Sequence, residues 1–210
     1  MGNSAQAAAS SSQTRPDPLI DRLRAALSGR VVIAGIGNRV RGDDALGPAV
    51  VDRLQGRVEA ALVDCGEVPE RYLGAITERA PQSVVLIDAV DLEAAPGSVA
   101  MLAEGELPDR LGTTHNTPLR VLMHYLAAET GARITLLAVQ PAQLESDSPM
   151  SPQVEATVGA LADVIAIVLS EVKAVSPEDG AEMVGCAEHD NHMMAGTPPK
   201  RSCPPRGGRR

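Results

Sequence analysis

From Leu19 to Val168 the apolar residues follow two rhythms: short unbroken runs rich in Val and Ile, and longer stretches in which Leu, Val, Ile or Met return every three or four positions. The runs predict buried strands and the spaced stretches predict amphipathic helices. Strands are expected at Val31–Ile33 and onward to the Gly35–Gly37 turn, at Ala60–Asp64, at Ser83–Val90 and at Arg133–Val139. Helical spacing is carried by Leu19, Ile20, Leu23 and Leu27, by Leu46, Val50, Val51 and Leu54, by Leu119, Leu122, Met123 and Leu126, and by Val154, Val158, Leu161, Ile165 and Val168. One further helix is expected around Glu70–Arg79, a short strand at Ser98–Leu102 after the Pro96-Gly97 turn, and a helical turn or loop over Glu106–Leu111. The run Val84–Ile87 has no polar break, so that strand is buried on both faces and central. Alternation of strand and helix gives an α/β fold with a mostly parallel sheet and helices on both faces. Residues 1–16 and 174–210 have few large apolar side chains and are expected to be disordered extensions, which leaves 17–173 as the folded domain.

Composition narrows this picture. The 210 residues include no Phe, no Trp and two Tyr, so the core must be built from aliphatic side chains and Met. A net charge of -8 offers no basic excess for phosphates and almost no ring for bases to stack on, which argues against a nucleic-acid partner. No apolar run is expected to reach the length of a membrane span, and the N-terminal stretch lacks the basic start and apolar segment of a signal peptide. Three cysteines without paired spacing (Cys65, Cys186, Cys203) fit a reducing, cytoplasmic setting better than a disulfide framework.

In a sheet of this kind ligands bind at the carboxyl ends of the strands. There the sequence places Asn38, Asp43 and Asp44, then Asp64 and Glu70, then Asp88 and Asp91, with His115 in a loop before a helix and Gln140 after the last strand. Such an acidic edge repels a phosphate, and Gly35-Ile36-Gly37 lacks the third glycine of a dinucleotide fingerprint. Carboxylates with one imidazole suit a divalent metal or general acid–base chemistry. Asp43 reads as the cap of the helix that follows, leaving Asp44 as the surplus carboxylate. Cys65 reads as a small buried residue, His124 as structural or at the surface, Asn38 and Gln140 as loop-holding side chains, and Asp64 and Glu70 as minor candidates for substrate contact. The donors Cys186, His189, His192, Met193 and Met194 read as incidental.

The motifs GIGNRVRGDDALGP, VDCGEVPE, LIDAVD with PGSV, TTHNTPL, LLAVQP and MSPQV, in this order, resemble the nickel–iron hydrogenase maturation protease family, in particular the subgroup serving formate-linked hydrogenases. The resemblance covers roughly Val31 to Leu169. It implies a three-layer α/β/α fold with a five-stranded sheet in which one strand, Ser98–Leu102, is antiparallel. It also implies an endopeptidase that removes the C-terminal extension of the hydrogenase large-subunit precursor once nickel is in place. The metal-contacting residues carry over to Asp44, Asp88 and His115, with nickel brought by the precursor and a monomer as the expected state.

Either the metal or a carboxylate would activate the attacking water, and the residues do not choose between them. A non-catalytic nickel-sensing chaperone of the same precursor is the alternative. A general hydrolase of this fold is disfavoured by the lack of a Gly-x-Ser-x-Gly elbow or zinc-helix motif, and a flavodoxin-like nucleotide binder by the acidic edge. Removal of the residues from Ala174 onward is expected to leave peptidase activity at the full-length rate, measured as precursor cleavage by mass spectrometry.

Overall fold

The structure, a computed structural model, describes residues 18–107, 112–113 and 119–175. Helix α1 (Pro18–Ala26) leads into β1 (Val31–Ile36), a 3-10 turn (Gly42–Ala45), α2 (Leu46–Leu54) and β2 (Ala61–Gly66). A second 3-10 turn (Pro69–Tyr72) and α3 (Leu73–Thr77) connect to β3 (Ser83–Asp91), which is followed by β4 (Val99–Ala103) and a third 3-10 turn (Glu104–Glu106). The two-residue β5 (Gly112–Thr113), α4 (Leu119–Thr130), β6 (Arg133–Val139) and α5 (Pro152–Val175) complete the order.

The strands lie in the order β2-β1-β3-β6-β4. The first four are mutually parallel, and β4 runs antiparallel to β6 with Met101 opposite Leu137, as the short strand after Pro96-Gly97 was expected to do. β5 adds a short antiparallel pairing on the end of β3, Thr113 opposite Val90, in a stretch where no strand is expected from the sequence. β1 and β3 sit inside the sheet, and all of their residues except Asp91 are buried.

Strand alternation sorts the core into two layers. On one face Ile33, Val85, Ile87, Leu137 and Val139 pack against α1, α2 and α5; on the other Val32, Ala34, Leu86, Ile134 and Leu136 pack against α3 and α4. Helices therefore cover both faces, the three-layer architecture expected from strand–helix alternation.

Two differences from the sequence reading have clear causes. The helix expected over Glu70–Arg79 is split, because Pro69 opens a 3-10 turn and only Leu73–Thr77 is α-helical. α5 is, by length and composition, apolar enough to cross a membrane, against the expectation that no run reaches that length. Here one face of it, Val154, Val158, Leu161, Ala162, Ile165 and Val168, is buried against the sheet layer.

What places α2 is a contact between main chains. A Cβ on Gly35 would lie 2.3 Å from the Gly47 carbonyl oxygen, and a Cβ on Gly47 would lie 2.3 Å from the Ile36 oxygen and 2.6 Å from the Ile87 oxygen. The start of α2 thus rests directly on the ends of β1 and β3, and only glycine leaves room for it. Gly47→Ala is expected to cost about 3 kcal/mol through overpacking, read as a lower urea midpoint. Gly74→Ala in α3, where an added Cβ meets nothing within 4 Å, is expected to be neutral or to stabilise by up to about 1 kcal/mol.

Candidate functional site

Chain direction across the sheet reverses between β1 and β3. β1 continues through α2 to β2 on one side, while β3 leads toward β6 and β4 on the other. Such a switch point leaves a crevice beyond the carboxyl ends of the two strands, because the loops that follow them diverge.

Asp44 lies on the 3-10 turn just past β1, and this turn packs against β3. Its tight path depends on Gly37, whose φ of +137° lies outside the comfortable range of other residues; a Cβ there would sit 1.8 Å from the Asp44 carbonyl oxygen. Asp44 is 1 % exposed, its own N–H donates to the Arg41 oxygen at 3.0 Å, and its Oδ2 accepts the Asn38 N–H at 3.0 Å. Asp88, fully buried on β3, lies opposite Ala138 of β6 and one residue beyond Ile87, the last β3 residue paired with β1. It shares the face of Leu86 and Val90, toward α3 and α4. Asp44 thus follows β1, and Asp88 lies on β3 one residue past its pairing with β1. His115, the third expected site residue, lies outside the described residues, as do the donors Cys186 to Met194. Among the described residues, no group of three or more His, Cys, Asp and Glu is arranged to hold a metal ion.

The remaining acids of this edge have other tasks. Asp43 is not the helix cap expected from its position: the 3-10 turn has no side-chain cap, and the Asp43 carboxylate instead accepts hydrogen bonds from Ala142, Gln143 and Ser151. The reason is geometric, since the chain turns after Gly42 (φ +52°) and Asp43 faces the loop after β6. Asp64 is held by its neighbours: Oδ2 accepts from Arg39 Nε at 3.0 Å and Nη2 at 2.8 Å, and Oδ1 accepts the Gly66 N–H at 3.0 Å. Glu70 lies exposed on the turn before α3.

Arg39, which sequence reasoning did not single out, also pairs with both oxygens of Asp52 at 2.6 and 3.0 Å. The Asp52 and then the Asp64 hydrogen bonds raise the guanidinium pKa, and the same Arg39 bond holds the Asp52 carboxyl below its ordinary value. No pattern along the chain marks this clamp, because it joins a loop, a helix and a strand end across the fold.

Loop-holding roles fall where they were expected. Asn38 Oδ1 accepts the Val40 N–H at 2.9 Å, and Gln140 Oε1 accepts the N–H groups of Leu92 at 2.6 Å and Ala94 at 3.3 Å. His124 is a surface residue whose Nδ1 meets Glu104 at 2.9 Å. A hollow of about 250 Å³ bordered by Asp91, Gln140 and Gln143 opens at the carboxyl edge of the sheet. A larger groove, about 750 Å³, lies at the opposite edge, where Val31, Val32 and Ala61 begin their strands, away from Asp44 and Asp88.

Known proteins match this chain along most of its described length. The sequence model of the HycI hydrogenase maturation proteases matches residues 48–171, beginning four residues after Asp44 and spanning Asp88 and His115. The hydrogenase 3 maturation protease of Escherichia coli is 29% identical over 113 residues, 52% of this chain and 72% of that protein. The hydrogenase 2 maturation protease of the same organism is 29% identical over 166 residues, 74% of this chain and 95% of that protein. Among solved structures, the nickel–iron hydrogenase maturation protease HycI from Thermococcus kodakarensis superposes with a TM-score of 0.66 and 34% identity, covering 71% of this chain and 99% of that one.

Cys65, 1 % exposed on β2, has its thiol pushed up to about 12 by burial and, secondarily, by the Asp64 charge. The native protein at pH 8 is therefore expected to leave Cys65 unmodified by iodoacetamide, with alkylation appearing in peptide mass maps only after unfolding.

Proposed function

This chain belongs to the hydrogenase maturation protease family, and from that premise we propose that it removes the C-terminal extension of a nickel-loaded nickel–iron hydrogenase large-subunit precursor. Membership of the family makes it a peptidase. The observation that supports the finer reading is that two buried carboxylates, Asp44 just past β1 and Asp88 on the neighbouring β3, lie on the carboxyl side of the switch point of the sheet.

Nickel enters this scheme as part of the substrate. Asp44 and Asp88 offer oxygen donors and His115 a nitrogen donor, a set that suits a divalent first-row ion already held by the precursor's cysteines. Binding the loaded metal draws the adjoining peptide into the crevice, so that cleavage waits for nickel insertion. Water then attacks the scissile carbonyl: a carbon–oxygen bond forms, the carbon–nitrogen bond breaks, and the water's proton ends on the leaving amine. A carboxylate at this edge has the chemistry to carry that proton, first as base and then as acid. The buried setting of Asp44 and Asp88 strengthens their interaction with a cation relative to water.

The test is the intact mass of the large-subunit precursor, with and without nickel, after incubation with the protein. A discrete C-terminal loss confined to the nickel-loaded sample is expected. Asp44→Asn is expected to slow that loss by at least about 100-fold, the usual scale for removing a proton-transfer group. Loss that ignores nickel would remove the gate from the scheme. Binding without any loss of mass would replace the peptidase reading with that of a nickel-sensing chaperone.

A further inference from the structure

Asp43 is as deeply buried as Asp44 but turned toward a different part of the molecule. Its Oδ1 accepts the Ser151 N–H at 2.6 Å, and its Oδ2 accepts the Ala142 N–H at 2.7 Å, the Gln143 N–H at 3.1 Å and the Ser151 hydroxyl at 2.9 Å. Four donors on one carboxylate exceed what a helix cap would use. Ser151 is the residue before α5, and its carbonyl accepts the first helical N–H, from Glu155, at 2.9 Å. The carboxylate therefore also lies at the N-terminal end of a 24-residue helix.

Further bonds sew the same two loops together. The Asp147 N–H donates to the Val40 oxygen at 2.8 Å, the Gly42 N–H to the Ser148 oxygen at 3.1 Å and the Asp43 N–H to the Gln143 oxygen at 3.1 Å, while Arg41 Nε donates to the Leu144 oxygen at 2.9 Å. The joined loops follow β1 and β6, the two neighbours of β3, so together they bridge the end of the strand that carries Asp88. This seam is the wall against which the Asp44 turn is built.

We infer that Asp43 is a positioning residue that fixes the direction of the Asp44 carboxylate; the inference rests on the reading of Asp44 as a reacting group given above. The two residues share a peptide unit. Once Asp43 is anchored on three backbone N–H groups and one hydroxyl, Asp44 is held from one side by that anchor and from the other by the Asn38 N–H. Replacing one Asp43 oxygen by an amide NH2 sets donor against donor at Ala142, Gln143 or Ser151, and the turn must shift to relieve it. Shifts on the order of 1 Å at a reacting group cost about 100-fold in rate.

The experiment measures kcat and KM for cleavage of the nickel-loaded precursor by Asp43→Asn, Ser151→Ala and Asp44→Asn, together with a thermal melt of each variant. Asp43→Asn is expected to lower kcat about 10- to 100-fold, with any rise in KM smaller than the fall in kcat, since Asp43 acts only through the direction of the Asp44 carboxylate. Ser151→Ala removes a single donor without changing the loop's backbone, and is expected to lower kcat about threefold to tenfold at unchanged KM. It also serves as the informative variant if Asp43→Asn does not fold. Wild-type kcat in a folded Asp43→Asn or in Ser151→Ala, or a loss carried by KM, beside an inactive Asp44→Asn, would overturn the inference alone. Wild-type kcat in Asp44→Asn would overturn the reading of Asp44 and the inference with it.

Discussion

The fold turns on one place where backbone touches backbone: the start of α2 lying on the ends of β1 and β3, with Gly35 and Gly47 facing each other. Everything near the crevice is referenced to it. The turn that bears Asp44 must close within the short stretch from Ile36 to Leu46, so its path is confined, and Gly37 and Gly42 absorb the required left-handed angles. Because α2 rests directly on the Ile36 and Ile87 carbonyl region, with no side chain between, the distance from the β1 turn to β3 is set by covalent geometry and van der Waals radii rather than by adaptable packing.

The electrostatics of the carboxyl edge are more selective than a count of acids suggests. Asp64 and Asp52 share the Arg39 guanidinium, and Asp43 is committed to four donors. These groups carry formal charge but are already satisfied within the protein, so they contribute scaffold and field rather than ligands. Arg39 is half exposed, and its ion pairs are worth on the order of 1 kcal/mol rather than a buried pair's larger stake. Its role is to tie the loop after β1 to α2 and β2 at once.

Most of the architecture was legible in the sequence because it depends on periodicity. The unbroken Val84–Ile87 run marked the buried strand, and the spaced apolar positions of α2, α4 and α5 marked their buried faces. The strand after Pro96-Gly97 was legible from its turn, and its antiparallel direction came with the resemblance to the family. What escaped were features made by contacts distant along the chain. The two residues of β5 are too few to leave a pattern, and the clamp of Arg39 on Asp52 and Asp64 joins positions with no local relation. Asp43 was misread for the same reason: next to a helix start an Asp usually serves the helix it precedes, but here its partners lie about a hundred residues further along. The positions of Asp44 just past β1 and of Asp88 late in β3 were legible because strands can be located from sequence.

The two layers of the core are completed at different moments of synthesis. The layer under α3 and α4 is supplied by segments from the middle of the chain, close to the strands that they cover. The opposite layer needs α5, made more than a hundred residues after the β1 strand it shields. Until α5 has left the ribosome, that side of the sheet is covered by α1 and α2 alone, and the apolar face of the long helix itself has no seat. Between those two moments the nascent chain is at its most adhesive, and the tempo of translation through the stretch after β6 sets how long that interval lasts.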